Sequence, residues 1–112
     1  MIAEPGAIVA IPFLFSDLTT RKRRPVLVLS EVDRFGDFAA LAVTSAPTRT
    51  HAVEITSEVL TEGSLPKTSW VRYDKIFTLS SRLITHQYAK MGEPTFADIR
   101  AHFCRHFGCS IA

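Results

Sequence analysis

The apolar residues of this chain follow two rhythms. Up to about residue 80 they come in short runs broken by Gly, Pro and charged residues, as strands do; beyond residue 95 they recur at three and four residues, as on one face of a helix. Ala7 to Phe13 is apolar on both faces and predicts a first strand, with Pro12 marking an edge or a bend. Val26 to Ser30 predicts a second strand; its continuous run Val26-Leu27-Val28-Leu29 is of the kind buried on both sides. Between them, Ser16 to Arg24 is polar and too long for a tight hairpin, and reads as an exposed loop. Turn chemistry from Glu31 to Asp37, with Gly36, leads into a third strand, Phe38 to Val43, which ends in the hydroxyl pair Thr44-Ser45.

Ala52 to Ile55 predicts a short fourth strand, Glu62-Gly63-Ser64 a turn, and Ser69 to Tyr73 an alternating, half-buried strand that Lys75 to Leu79 continues after a bend at Asp74. Phe96, Ile99, Phe103 and Phe107 then form one stripe of an amphipathic helix, with Thr95 and Asp98 as a capping pair and Gly108 as its stop. Short strands at close spacing followed by one helix imply a mainly β fold, a small antiparallel barrel with the helix packed against it. No repeat, linker or low-complexity tract divides the chain, so residues 1–112 read as one domain.

Composition changes this picture little. Hydrophobic residues make up 46% and charged residues 21%, ordinary values for a globular domain and far from those of disorder. The net charge is only +2, so any affinity for nucleic acid has to rest on local clustering. That clustering exists at Arg21-Lys22-Arg23-Arg24, joined through Pro25 directly to the most apolar strand. An Arg at the root of a buried strand is held far more firmly than one on a tail, and its planar donors suit bidentate phosphate binding. The apolar run up to Phe15 is too short to span a bilayer and follows Glu4 rather than a cation, which argues against a leader and for the cytoplasm.

Cys104 and Cys109 lie in the segment read as helical, where their side chains point apart, so reduced thiols are expected. His102 and His106 share a helix face, but Cys104 points elsewhere, and no second cluster completes a tetrahedral zinc site; no metal or other cofactor is expected.

Five pieces of the sequence, in order, carry a resemblance. Pro5-Gly6-x-Ile8-Val9, Pro12-Phe13-x-Phe15-x-Asp17-Leu18, Arg23-Arg24-Pro25-Val26-Leu27-Val28-Leu29-Ser30, Val43-Thr44-Ser45 and Ser69-Trp70-Val71-Arg72-x-Asp74-Lys75-Ile76-Phe77-Thr78-Leu79 are similar to the PemK/MazF family of toxins. The resemblance implies an SH3-like barrel with a C-terminal helix (the CcdB/PemK/MazF-like fold) and a homodimer. It further implies a ribosome-independent endoribonuclease that cuts single-stranded RNA, arrests growth and is neutralised by a cognate antitoxin. Carried over by position, the family's catalytic Arg, directly before Pro, falls on Arg24, and its catalytic Thr at the end of the third strand falls on Thr44. Ala7 departs from the pattern, since many members have Asp after the Gly.

RNA needs no metal for cleavage, because its 2′-hydroxyl is a built-in nucleophile. Arg24 suits stabilisation of the phosphorane, and Thr44 can donate a hydrogen bond to the same phosphate. Arg21, Lys22 and Arg23 are expected to track the RNA backbone, with Ser45 and Arg49 also binding substrate. Arg is a poor base, and His51, in the loop after Thr44, is its rival as proton acceptor. Phe15, Trp70 and Tyr73 can stack a base, although core or interface packing is the commoner use of such rings. Two alternatives stay open: a gyrase-binding toxin of the same barrel type, which would not need Arg24 and Thr44, and a non-catalytic SH3-like module that binds RNA or protein.

Overall fold

The computed structural model describes residues 3–14 and 21–109. Seven strands form one antiparallel sheet: β1 (Ala7–Leu14), β2 (Arg21–Val28), β3 (Asp37–Thr44), β4 (Ala52–Ile55), β5 (Leu60–Gly63), β6 (Ser69–Ser80) and β7 (His86–Met91), followed by the helix α1 (Glu93–Phe107). The order across the sheet is β4-β6-β3-β2-β1-β7-β5. β4 and β5 are therefore the two edges, yet they are consecutive in the chain, joined by one 3₁₀ turn, Ser57–Val59. The steps from Ile55 to Leu60 can span at most about 18 Å. The edges thus stay close, and the sheet has to curl on itself.

The curl explains the apolar runs. Ile8, Leu27, Leu41, Val43, Ile55 and Val71 point inward and form one buried cluster with Met91, Phe96 and Ile99. The alternate residues Val9, Ile11, Val26, Val28, Phe38 and Ala40 form a second cluster with Ala3 and Ala7 on the outer face, covered by Val32, Leu79 and Ile84. The three central strands are buried on both sides, as the unbroken runs of β1 and β2 require.

Several boundaries differ from the sequence reading. The cations Arg21 to Arg24 belong to β2 rather than to a loop: Leu14 pairs with Arg21, Pro12 with Arg23 and Ile11 with Arg24. Strand pairing uses only backbone groups, so Arg23 and Arg24 can pair with β1 while their side chains stay exposed. Pro25 is accordingly inside the strand, which begins at Arg21 rather than Val26. Residues 15–20, and with them Phe15, Asp17 and Leu18, lie outside the described residues.

The bend at Asp74 is a bulge within one strand. Leu41 pairs with Ile76 while its neighbour Ala42 pairs with Arg72, which pushes Tyr73, Asp74 and Lys75 out of the ladder. Glu62 and Gly63 end a strand, β5, rather than forming a free turn. Gly63 has φ +69° where β5 meets β7, and a Cβ there would overlap the Tyr88 carbonyl oxygen.

The helix starts two residues before Thr95. Gly92 is its N-cap, without a side-chain hydrogen bond, and Pro94 occupies the first turn, where no N–H is needed. The Thr95–Asp98 capping pair is therefore not formed; Asp98 instead faces His102, with Oδ2 3.7 Å from Nε2. Phe96 and Ile99 are buried and Phe103 packs beside them, but Phe107 is 48% exposed and falls off the stripe. Gly108 ends the helix as expected, with φ 75°.

Candidate functional site

The last residue pair in the β2–β3 ladder towards the open end of the sheet is Val26 with Ala42. Pro25, the next residue on β2, has no N–H to offer to either neighbour. Continued by two residues, the same register sets Arg24 opposite Thr44, which itself pairs with Trp70 on β6.

Two hollows open at this point. One, of about 280 Å³, is lined by Arg23, Arg24, Pro25, Val43, Thr44, Ser45, Leu65, Pro66, Lys67, Ser69 and Tyr88. The other, of about 370 Å³, is lined by Arg24, Pro25, Val26, Ala42, Val43, Thr44, Arg72, Lys75 and Phe77. Arg24, Pro25, Val43 and Thr44 border both, forming a ridge between them. Among the described residues no carboxylate lines either hollow. With Arg23, Arg24 and Lys67 on one side and Arg24, Arg72 and Lys75 on the other, both attract anions.

The hydroxyl of Thr44 accepts the Ala46 N–H at 3.1 Å, and Thr48 Oγ1 donates to the Ala46 carbonyl at 2.8 Å, so the loop leaving β3 is shaped by its own side chains. Accepting that bond fixes the position of Thr44 Oγ1 while leaving its O–H as a donor. Buried Ser69 donates to the Lys67 carbonyl at 3.0 Å, which anchors the segment carrying Leu65, Pro66 and Lys67 over the first hollow.

Behind the second hollow, Arg72 makes a two-pronged contact with Asp74, 3.3 Å from Nε to Oδ1 and 3.0 Å from Nη2 to Oδ2. Partial burial is the largest single influence on Asp74 and raises its pKa. The Arg72 hydrogen bonds and charge, a backbone hydrogen bond and the Lys75 charge together outweigh it, so the carboxyl is held below its ordinary value.

Of the residues selected from sequence, Arg23, Arg24, Thr44 and Ser45 come together at the first hollow. The described part of Arg21 and Lys22 is their place in β2, leading up to it. Arg49 is exposed on the β3–β4 loop and lines neither hollow. His51 also lines neither: it has φ 54°, and its ring stands against His106, 4.6 Å between centroids, and Tyr73, at 6.0 Å. Tyr73 in turn stacks on His102 at 5.1 Å, so this ring packs against α1. Trp70 is half-buried at its pairing with Thr44.

Sequence reasoning missed Lys67, Tyr88, Arg72, Lys75 and Phe77 as site residues. Only the curl brings the β5–β6 link and β7 to the end of β2, and only the bulge turns Lys75 towards it. Among the described residues, no group of three or more His, Cys, Asp or Glu is placed to hold a metal ion. Among the same residues no helix is long and apolar enough to cross a membrane.

A curled antiparallel sheet closed by a C-terminal helix, with a cationic ridge at one strand end, defines a small barrel protein built to meet an anion. The family described as PemK-like, MazF-like toxin of type II toxin-antitoxin system matches residues 4–107, and the chain belongs to that family. Solved structures share the fold. One is that of MazE-MazF from Deinococcus radiodurans, with 24% identity, 96% of each chain covered and a TM-score of 0.77. Another is an endoribonuclease in complex with its cognate antitoxin from a mycobacterial species, with 19% identity, all of both chains covered and a TM-score of 0.72. A third is the Mycobacterium tuberculosis toxin MazF-mt6, with 14% identity, 92% of this chain and 99% of that chain covered and a TM-score of 0.65. No curated protein sequence matched significantly.

Proposed function

We propose that this chain is a cytoplasmic endoribonuclease toxin that cuts single-stranded RNA sequence-specifically and without a metal, leaving 2′,3′-cyclic phosphate and 5′-hydroxyl ends. The observation that carries this reading is the shared ridge: Arg24 and Thr44 border both hollows, so a phosphate lying across them meets both side chains, with a recess on each side for the flanking nucleotides. Membership of a toxin family supports it, as do the relatives of the same fold that are endoribonucleases.

The chemistry follows from the lining. Attack by the 2′-oxygen on phosphorus, its proton passing to solvent, places added charge on the non-bridging oxygens until the bond to the 5′-oxygen breaks and that oxygen takes up a proton from solvent. The Arg24 guanidinium supplies planar donors to them, and the Thr44 O–H supplies a third. Arg23 and Lys67 face the same hollow and hold the chain's phosphates in register. No carboxylate or imidazole borders the ridge among the described residues, so the rate enhancement rests on charge stabilisation and in-line positioning.

The same cationic ridge suits an acidic antitoxin segment that folds as it binds, and the structures of relatives with MazE or a cognate antitoxin support such a partner. Self-association into a twofold homodimer completes the proposal. The test is incubation of the purified chain with a long unstructured RNA in EDTA, with both new ends mapped. Cleavage with 5′-hydroxyl ends is expected; 5′-phosphate ends, or full loss of activity in EDTA, overturn the metal-independent reading.

A further inference from the structure

The two cysteines do not sit where a continuous helix would put them. The helix stops at Phe107, Gly108 turns the chain at φ 75°, and the Cys109 N–H reaches back to the Cys104 carbonyl at 2.9 Å. This backward 6→1 bond across the glycine is that of a Schellman-type helix stop, which commonly folds the residue after the glycine over the last full turn. Ordinary bond lengths and that 2.9 Å contact hold the two Cα atoms no farther apart than about 6.8 Å, the longest span a disulfide ordinarily bridges. The Cys104 thiol is pushed above its ordinary value, first by its hydrogen bond with the Cys109 side chain and then by desolvation. Both thiols are free, and Cys109 is the exposed member.

We propose that Cys104 and Cys109 are a reversible oxidation site that closes an intramolecular disulfide across the Gly108 turn. The reaction is thiol–disulfide exchange with a small disulfide of the glutathione type. The exposed Cys109 thiolate attacks one sulfur of the reagent, forms a mixed disulfide and releases one glutathione thiol. Cys104, its proton lost to solvent, attacks the Cys109 sulfur, breaks the mixed bond and releases the second glutathione. Two protein thiols are oxidised and one glutathione disulfide is reduced to two thiols. The site is separate from the Arg24–Thr44 ridge, so it stands whether or not the chain cleaves RNA. His106 lies inside the closed segment, and its ring stands 4.6 Å from that of His51 on the loop leaving Thr44.

The test is to equilibrate the full-length chain in mixtures of reduced and oxidised glutathione, block remaining thiols by alkylation, and weigh the protein. Oxidised chain should be about 2 Da lighter, with no alkyl group and no glutathione. Trypsin should leave residues 101–105 and 106–112 joined until a reductant separates them. Gly108→Val, which forces a branched side chain into the left-handed region, should shift the balance about tenfold towards the dithiol. Cys104→Ser should instead hold one glutathione on Cys109. Stable glutathione on the wild-type chain, a disulfide-linked dimer, or a Gly108→Val variant that oxidises as readily as wild type would overturn the proposal.

Discussion

Arg24 lies two residues beyond Val26 on β2, and Thr44 two beyond that residue's partner Ala42 on β3, so one antiparallel register sets them opposite each other where the ladder stops. A charged donor fork and a hydroxyl, from residues 20 apart in the chain, are brought level by the sheet, and the Ala46 N–H in the loop beyond β3 then fixes the hydroxyl. Arg24→Ala should therefore lower RNA cleavage by about 10²–10³ while the variant still folds, since the side chain is exposed and outside the core. Thr44→Ser should keep most activity and Thr44→Val should lose it. Initial rates on a defined RNA, beside urea unfolding of each variant, check both.

Lys67 and Lys75 line opposite hollows. If each meets one phosphate, replacing either with Ala should weaken RNA binding and reduce the slope of log affinity against log salt by about one. Fluorescence anisotropy titrations over a range of salt concentrations measure that slope; an unchanged slope for Lys75→Ala would remove the second hollow from the RNA path.

The Arg72–Asp74 pair gives a pH signature of stability. Because the folded carboxyl titrates below its unfolded value, its stabilisation is complete above the unfolded pKa, near 3.8, and is lost as pH falls through the lower folded value. Asp74→Asn should cost about 1 kcal/mol at pH 7 and make a smaller difference as the solution is acidified below pH 4. Urea midpoints of both proteins at several pH values test the sign.

Gly63→Ala should be more damaging than its size suggests. It places a side chain at φ +69° and against the Tyr88 carbonyl, so the β5–β7 contact has to open. A loss of about 2–4 kcal/mol is expected, read from the urea midpoint.

How much of this was legible in the sequence depended on burial. β1, β2 and β3 were readable because the curl covers both of their faces, and strands buried on both sides carry unbroken apolar runs. β7 was not: in His86-Gln87-Tyr88-Ala89-Lys90-Met91 only Ala89 and Met91 are buried, too short an alternation to stand out. The charge run of β2 read as a loop because charge predicts exposure of side chains, not the pairing of the backbone beneath them. Arg24 and Thr44 were accessible through motif resemblance, whereas Lys67, Lys75 and Tyr88 reach the ridge by topology alone. The thiols are free, as expected, but Cys109 lies beyond the helix it was read into, because the left-handed Gly108 ends α1 before it.

The shortness of the two edge strands has a consequence for the protein in quantity. β4 and β5 have four residues each, and the exposed side chains along them include Glu54, Thr61 and Glu62. A neighbouring copy trying to extend the sheet finds a brief, acidic ledge, and edges of that kind resist the stacking of strand on strand that leads to aggregates. The barrel can therefore accumulate as discrete particles.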